Sequence, residues 1–230
     1  MSLSVFCDFD GTIALEDVTD RLLESFALPS WREVEAHWLA GRIGSRECMA
    51  RQVDLIRAVP AQLDRLIDCV TIDPDFAAFV RHVRGLGGTL VVVSDGLDYA
   101  IHRILARHGL DHLPVYANHL EFLGANRWRL AFPHALSACA KASGTCKCAV
   151  IHAAPARRSR ILVGDGTSDF CAAGAVDMVL AKGKLARYCA ERVIPHHPID
   201  GFGHAARLID PLASGPVSDR PRSSHMLETL

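Results

Sequence analysis

The chain has 230 residues, a formal net charge of -1, 50% hydrophobic residues and 22% charged residues. That balance describes a folded globular protein with a substantial core, excludes a largely disordered chain, and offers no electrostatic case for nucleic acid or an anionic membrane. No apolar run reaches membrane-spanning length, and Asp8 and Asp10 interrupt the place where a signal-peptide core would lie, so a cytoplasmic protein without membrane or nucleic-acid partners is expected.

The first element is a short apolar run, Val5-Phe6-Cys7, delivering Asp8-Phe9-Asp10-Gly11-Thr12 to a tight turn. It reads as a buried strand with two carboxylates at its C-terminal edge, where open α/β sheets bind ligands. From about Asp17 to Gly85 no strand is evident. Leu22, Leu23 and Phe26 fit a first helix, and Trp31, Val34, Trp38 and Leu39 a second, ended by Gly41. Met49, Val53 and Ile56 fit a third, stopped near Pro60, and Leu63, Leu66 and Ile67 a fourth. These four make a small helical insert, a candidate cap over the strand edge.

Asp73-Pro74 opens a further helix through Phe76, Phe79, Val80 and Val83, closed by Gly85 to Gly88. Thr89 to Val93 is the clearest buried strand, ending in Ser94-Asp95-Gly96. A helix from Tyr99 to Gly109 follows. Val115 to Leu130 reads as short strands with turns at Gly124 and Asn126. Pro133 to Cys148 has weak periodicity. Arg160 to Gly164 is another buried strand, followed by Asp165-Gly166-Thr167-Ser168-Asp169 and an Ala-rich helix. Asp177 to Leu180 is expected to be the last strand. Helices over Leu185 to Val193 and Phe202 to Ile209 are separated by a loop containing His196-His197. Residues 211–230 read as a flexible tail.

Three strands thus end in polar loops carrying Asp8/Asp10, Ser94/Asp95/Gly96 and Asp165/Asp169, which parallel pairing gathers at one edge. A carboxylate such as Asp8 can attack phosphorus, and a neighbour such as Asp10 can protonate the leaving alcohol and then activate water. Two anions meet in that step, so cations are needed. Lys147 is one, and a hard Mg²⁺ among Asp8, Asp165 and Asp169 is the other. Ser94 and the backbone N–H groups of Asp95 and Gly96 suit phosphate oxygens.

These residues, in this order, resemble the four motifs of the haloacid dehalogenase-like (HAD) phosphatases over about residues 5–209. The resemblance implies a Rossmann-like α/β core with a parallel sheet flanked by helices, residues 1–15 and 74–210, and a C1-type helical cap, residues 16–73. It also implies Mg²⁺ held by Asp8, Asp165 and the Asp10 carbonyl, and an aspartyl phosphate on Asp8. Within the superfamily the spacing is similar to the phosphoserine phosphatase branch. It is closer still to the group acting on 2-hydroxy-3-keto-5-methylthiopentenyl-1-phosphate, through Phe132-Pro133-His134, Cys139 and Cys146-Lys147-Cys148, and through the helix from Leu185 to Cys189 that leads to Phe202. Phosphoserine phosphatases carry Glu where this chain has Asp17, a departure at the position expected to meet the substrate amine.

The expected activity is hydrolysis of a small phosphorylated metabolite. A phosphotransferase or mutase using the same intermediate and a non-catalytic HAD-like binding module are the alternatives, and a homodimer is allowed. Asp17 and Arg51 are candidate substrate contacts from the insert. His134, Cys139, Cys146 and Cys148 have the ligand types of a structural zinc site, although their spacing is not that of paired CxxC knuckles; buried thiols are the alternative.

Overall fold

The computed structural model describes residues 3–155 and 159–214, with side chains described through Asp210. Seven strands form one sheet: β1 (Leu3–Cys7), β2 (Thr89–Leu97), β3 (Val115–Gly124), β4 (Arg127–Ala131), β5 (Ser159–Gly164), β6 (Met178–Ala181) and β7 (His196–Pro198). Their order is β4-β3-β2-β1-β5-β6-β7, and all neighbours are parallel except β3 with β4. The chain leaves β1 for β2 on one side and later returns to β5 on the other. This reversal opens a crevice beyond the C-terminal ends of β1 and β5.

Strand alternation builds two cores. On one face Val5, Cys7, Val92, Ile161 and Val163 meet the apolar stripes of α5 (Phe76–Gly85), α6 (Asp98–Arg107) and α10 (Phe202–Ser214). On the other, Phe6, Val93, Leu162 and Val179 meet α7 (Lys147–Ala153), α8 (Phe170–Ala173) and α9 (Gly183–Glu191). Consecutive residues of one strand serve opposite layers, the period-two rule at work.

Between β1 and α5 the chain forms α1 (Val18–Phe26), α2 (Trp31–Leu39), α3 (Ser45–Val53) and α4 (Pro60–Ile67). The two ends of this segment meet in an antiparallel bridge between Ala14 and Ile72. Leu15 N–H donates to the Thr71 carbonyl (3.1 Å) and Asp73 N–H to that of Ile13 (2.9 Å), so the helices leave and rejoin the sheet through one narrow neck.

Several boundaries differ from the sequence reading. Ile56 lies outside α3 and pairs with Ala27 in an isolated bridge, while Pro60 opens α4, where its missing N–H costs nothing. β2 does not end at Val93 but continues through Ser94-Asp95-Gly96 to Leu97, with an irregular register that lets it curve past β3. β3 is one ten-residue strand, joined to β4 through Ala125 and Asn126, both at positive φ as a tight hairpin turn of the primed type demands. His196 to Pro198, expected as loop, adds to the edge of β6 as β7. The expected tail begins later, since α10 runs to Ser214; residues 215–230 lie outside the described residues.

Candidate active site

Asp8 follows the last residue of β1, and its N–H donates to the Val163 carbonyl of β5 at 2.9 Å, so the strand pairing itself fixes where the carboxylate emerges. Its Oδ1 accepts the Phe9 N–H (2.7 Å). Lys147 Nζ lies 2.8 Å from its Oδ2 and 2.6 Å from Asp169 Oδ1. All three residues are buried, and Asp169 is sealed completely. Lys147 opens α7, while Asp169 ends a 3₁₀ turn, Thr167–Asp169, that turns it inward beneath β5. Asp169 Oδ2 also accepts the N–H groups of Asp165 and Gly166 at 3.2 and 3.3 Å.

Asp165 is less enclosed and receives the Thr12 hydroxyl on Oδ1 at 2.7 Å. Gly11, at φ +72°, is required here twice over: its backbone conformation favours glycine, and a Cβ would stand 2.7 Å from Asp165 Oδ2. Asp8, Asp165 and Asp169 each offer an oxygen, all within 4.8 Å of one another, and they form the sole such group of potential metal ligands among the described residues. Three carboxylates face one lysine, an excess of negative charge that a divalent cation would balance. Burial, followed by the charge of Asp8, pushes Asp169 up to about 7, with Lys147 opposing; burial also raises Asp165, with the Thr12 hydroxyl opposing. Lys147 itself is held above its usual range: the charges of Asp169 and Asp8 outweigh the opposing cost of its burial, which is the largest single effect.

Asp10 stands beside this cluster, with Oδ1 accepting the Val18 N–H at 2.9 Å. Burial first, then the neighbouring charge of Asp17, drives its carboxyl well above the usual range. Asp17 caps α1 by accepting the Asp20 N–H (2.9 Å), and desolvation pushes it up to about 6. The structure therefore brings Asp17 to the Asp10 side of the crevice. Ser94 is buried, and its Oγ accepts the Gly96 N–H at 2.9 Å; a Cβ on Gly96 would lie 2.5 Å from Asp10 Oδ2.

Other expected residues sit differently. Arg51 pairs with Glu47 one turn earlier on an exposed face of α3 (2.6 Å). Asp95, whose backbone N–H is the group expected to meet phosphate, has its carboxylate ringed by the Ser45 hydroxyl (2.9 Å), the Thr145 N–H (2.8 Å) and the Asn118 amide (3.1 Å). The Gly96 N–H, also expected to meet phosphate, is donated to Ser94 Oγ in this structure. The four residues expected as a zinc site do not assemble among the described residues. His134 packs edge-on against Tyr116, Cys146 caps α7 and pairs with Cys139, and Cys148 turns to Cys171 on α8. Residues two apart at a helix start diverge by about 200°, so Cys146 and Cys148 part company.

Sequence reading missed Lys182, whose Nζ donates to the Gly11 carbonyl at 3.1 Å and steadies the turn bearing Asp10. It also missed Ser45, Asn118 and Thr145. Asn118, a fully buried amide within β3, was the one visible signal: a polar residue inside a strand demands partners.

The model of the haloacid dehalogenase-like hydrolase family matches residues 5–174. A 2-hydroxy-3-keto-5-methylthiopentenyl-1-phosphate phosphatase from Brevibacillus brevis is 32% identical over 211 residues, covering 90% of this chain and 95% of the relative. One of the same name from Exiguobacterium sp. is 32% identical, covering 88% and 94%. Among solved structures, a substrate-bound phosphoserine phosphatase superposes with a TM-score of 0.65 at 15% identity, covering 90% of this chain and 98% of that one. A phosphoserine phosphatase from T. onnurineus gives 0.63 at 17%, covering 91% and 94%. With the family model spanning most of the chain and a sheet of the same architecture beneath it, this protein belongs to the haloacid dehalogenase-like hydrolase family.

Proposed function

We propose that this protein is a Mg²⁺-dependent phosphatase that hydrolyses a small phosphorylated metabolite through an aspartyl phosphate on Asp8. The observation that carries the reading is the buried Asp8 carboxylate, paired with Lys147 at 2.8 Å and flanked by Asp165 and Asp169 at the edge of the sheet. The donor set is all oxygen and acidic, which fits Mg²⁺. Asp8, Asp165 and the Asp10 carbonyl would hold it, and when bound it neutralises charge on the phosphoryl oxygens.

The chain's own groups divide the chemistry. An Asp8 oxygen forms the bond to phosphorus as the bond to the leaving oxygen breaks, and Asp10 donates its proton to that oxygen. Asp10 then takes a proton from water, whose oxygen attacks phosphorus and frees Asp8 as phosphate departs. The Val18 N–H fixes the Asp10 carboxyl beside Gly96 throughout. Lys147 meets charge spreading onto the transferring group, and the Ser94 hydroxyl, whose oxygen accepts the Gly96 N–H, orients it together with the Asp95 N–H.

Residues 16–73 act as a cap over the crevice, joined to the core, 1–15 and 74–210, by the neck at Ala14 and Ile72. Asp17 faces the substrate from α1, and with Asp10 beside it favours a neutral or cationic group over a second anion. The relatives' shared name makes 2-hydroxy-3-keto-5-methylthiopentenyl-1-phosphate the first metabolite to test.

Purified protein is expected to release phosphate from p-nitrophenyl phosphate and from that metabolite only when Mg²⁺ is added. Asp8→Asn should reduce release by at least about 10⁴-fold, the scale expected when a covalent route is lost. Release by Asp8→Asn at the wild-type rate, or wild-type inactivity over a broad panel of phosphate esters, would overturn the proposal.

A further inference from the structure

Asp95 lies between two residues placed at the crevice, Ser94 and Gly96, yet each of its anchors leads elsewhere. Its Oδ2 takes the hydroxyl of Ser45, in the first turn of α3. Its Oδ1 takes the Thr145 N–H, two residues before Lys147. Its backbone carbonyl accepts the Asn118 amide at 2.5 Å, and Asn118 Oδ1 accepts the Thr145 hydroxyl at 3.2 Å. One residue thereby touches the helical segment, the entrance to α7 and the middle of β3.

The same junction is tied independently of Asp95. Arg46 N–H donates to the Ala142 carbonyl at 2.9 Å. Gly44, just before α3, approaches Ala142 so closely that a Cβ would lie 2.7 Å from the alanine methyl. The start of α3 therefore sits on the loop that feeds Lys147. Thr145 and Asn118 are buried, so their donors have no water to replace the carboxylate if it withdraws.

We propose that Asp95 is a positioning residue that makes seating of the helical cap and alignment of Lys147 a single event. When α3 is seated, Ser45 and Thr145 converge on one carboxylate, the entrance of α7 is fixed, and Lys147 is held on Asp8. When α3 lifts, Asp95 loses its Ser45 partner, Thr145 loosens, and the lysine loses its register. The protein then withholds its charge-neutralising group until the crevice is covered, which keeps water from the reacting centre. This rests on the phosphatase reading for its purpose, though not for the coupling itself.

The test uses the full chain as wild type, Ser45→Ala, Asp95→Asn and Asp95→Ala. Hydrogen exchange of backbone amides over residues 44–48 and 143–150 is measured without ligand, followed by p-nitrophenyl phosphate kinetics with Mg²⁺. Ser45→Ala, which removes one hydroxyl from the cap, is expected to speed exchange about 10-fold in 143–150 as well as in 44–48, and to lower kcat about 10-fold. Asp95→Ala should lower kcat about 100-fold. Asp95→Asn retains an oxygen for the Thr145 N–H and should stay within about 5-fold of wild type, a rescue that loss of folding would not show. The coupling is overturned if Ser45→Ala speeds exchange only in 44–48 and leaves kcat unchanged, or if Asp95→Ala matches wild type. Should the wild type hydrolyse nothing, the phosphatase reading falls, while the exchange result still decides the coupling.

Discussion

Gly96 stands at a tight point of the crevice, where an added methyl would meet Asp10 Oδ2 at 2.5 Å and Ser94 Oγ at 3.1 Å. The atoms it would push are the far ends of two side chains, so the fold can yield where the chemistry cannot. Gly96→Ala is expected to lower kcat/KM by about 100-fold, the cost of displacing the proposed proton donor by about an ångström, with little change in thermal midpoint. Kinetics and a melting curve of the same preparation check both halves. Wild-type kcat/KM would show that the Asp10 carboxyl has room to spare. Lys147 illustrates the complementary case: a lysine in an aperiodic stretch is usually solvated, and here the opening of α7 carries it inside to meet two carboxylates.

At the level of elements, the helical segment is also fastened by α4 against α6. Arg103 reaches Asp68 (2.8 Å) and Asp64 (3.3 Å), and the Tyr99 hydroxyl donates to Asp64 at 2.6 Å. The ion pairs are exposed and contribute little. The phenol is the informative partner, because burial, reinforced by its bond to Asp64, pushes Tyr99 up to about 12 from an ordinary 10. A folded-state pKa above the unfolded one means that the folded protein holds the proton more tightly. The associated stability is complete below pH 10 and is lost as pH rises toward 12. Denaturant midpoints should therefore fall across that window in wild type more than in Tyr99→Phe. Parallel curves for the two proteins would show that the hydroxyl is not held in solution.

The whole molecule is closed by its last described helix. Phe202 is buried between Phe76 and Phe79, with ring centroids 4.8 and 5.1 Å away, and its N–H donates to Asp73 Oδ2 at 3.1 Å. That contact joins α10 to the residue at which the helical segment rejoins the core. Phe202→Ala should cost about 3–5 kcal/mol, read from the denaturant midpoint at unchanged slope, since a ring removed from a packed site leaves a cavity. A loss below about 1 kcal/mol would mean that the site collapses freely.

What could be read from sequence at this scale followed from physics that is local to the chain. Thr89 to Val93 and Arg160 to Gly164 are apolar enough to declare strands buried on both faces, and the acidic, Gly-rich ends of three strands declare the crevice. His196 to Pro198 could not be read, having no apolar run of its own; β6 supplies its pairing. The engagement of the Asp95 side chain was illegible for a related reason. Its partners Ser45 and Thr145 each lie 50 residues away, so nothing near Ser94 in the chain shows where the carboxylate is held until the fold brings them together.

The chain's three tryptophans are unevenly placed. Trp31 and Trp38 belong to α2, and Trp128, from β4, donates its indole N–H to the Ala58 carbonyl just before α4, at 2.8 Å. No tryptophan lies among the central strands or in the crevice itself. Intrinsic emission is thus a built-in gauge of the helical layer and of its contact with β4: quenching or a spectral shift on adding a phosphate mimic reports how that layer sits, without any label.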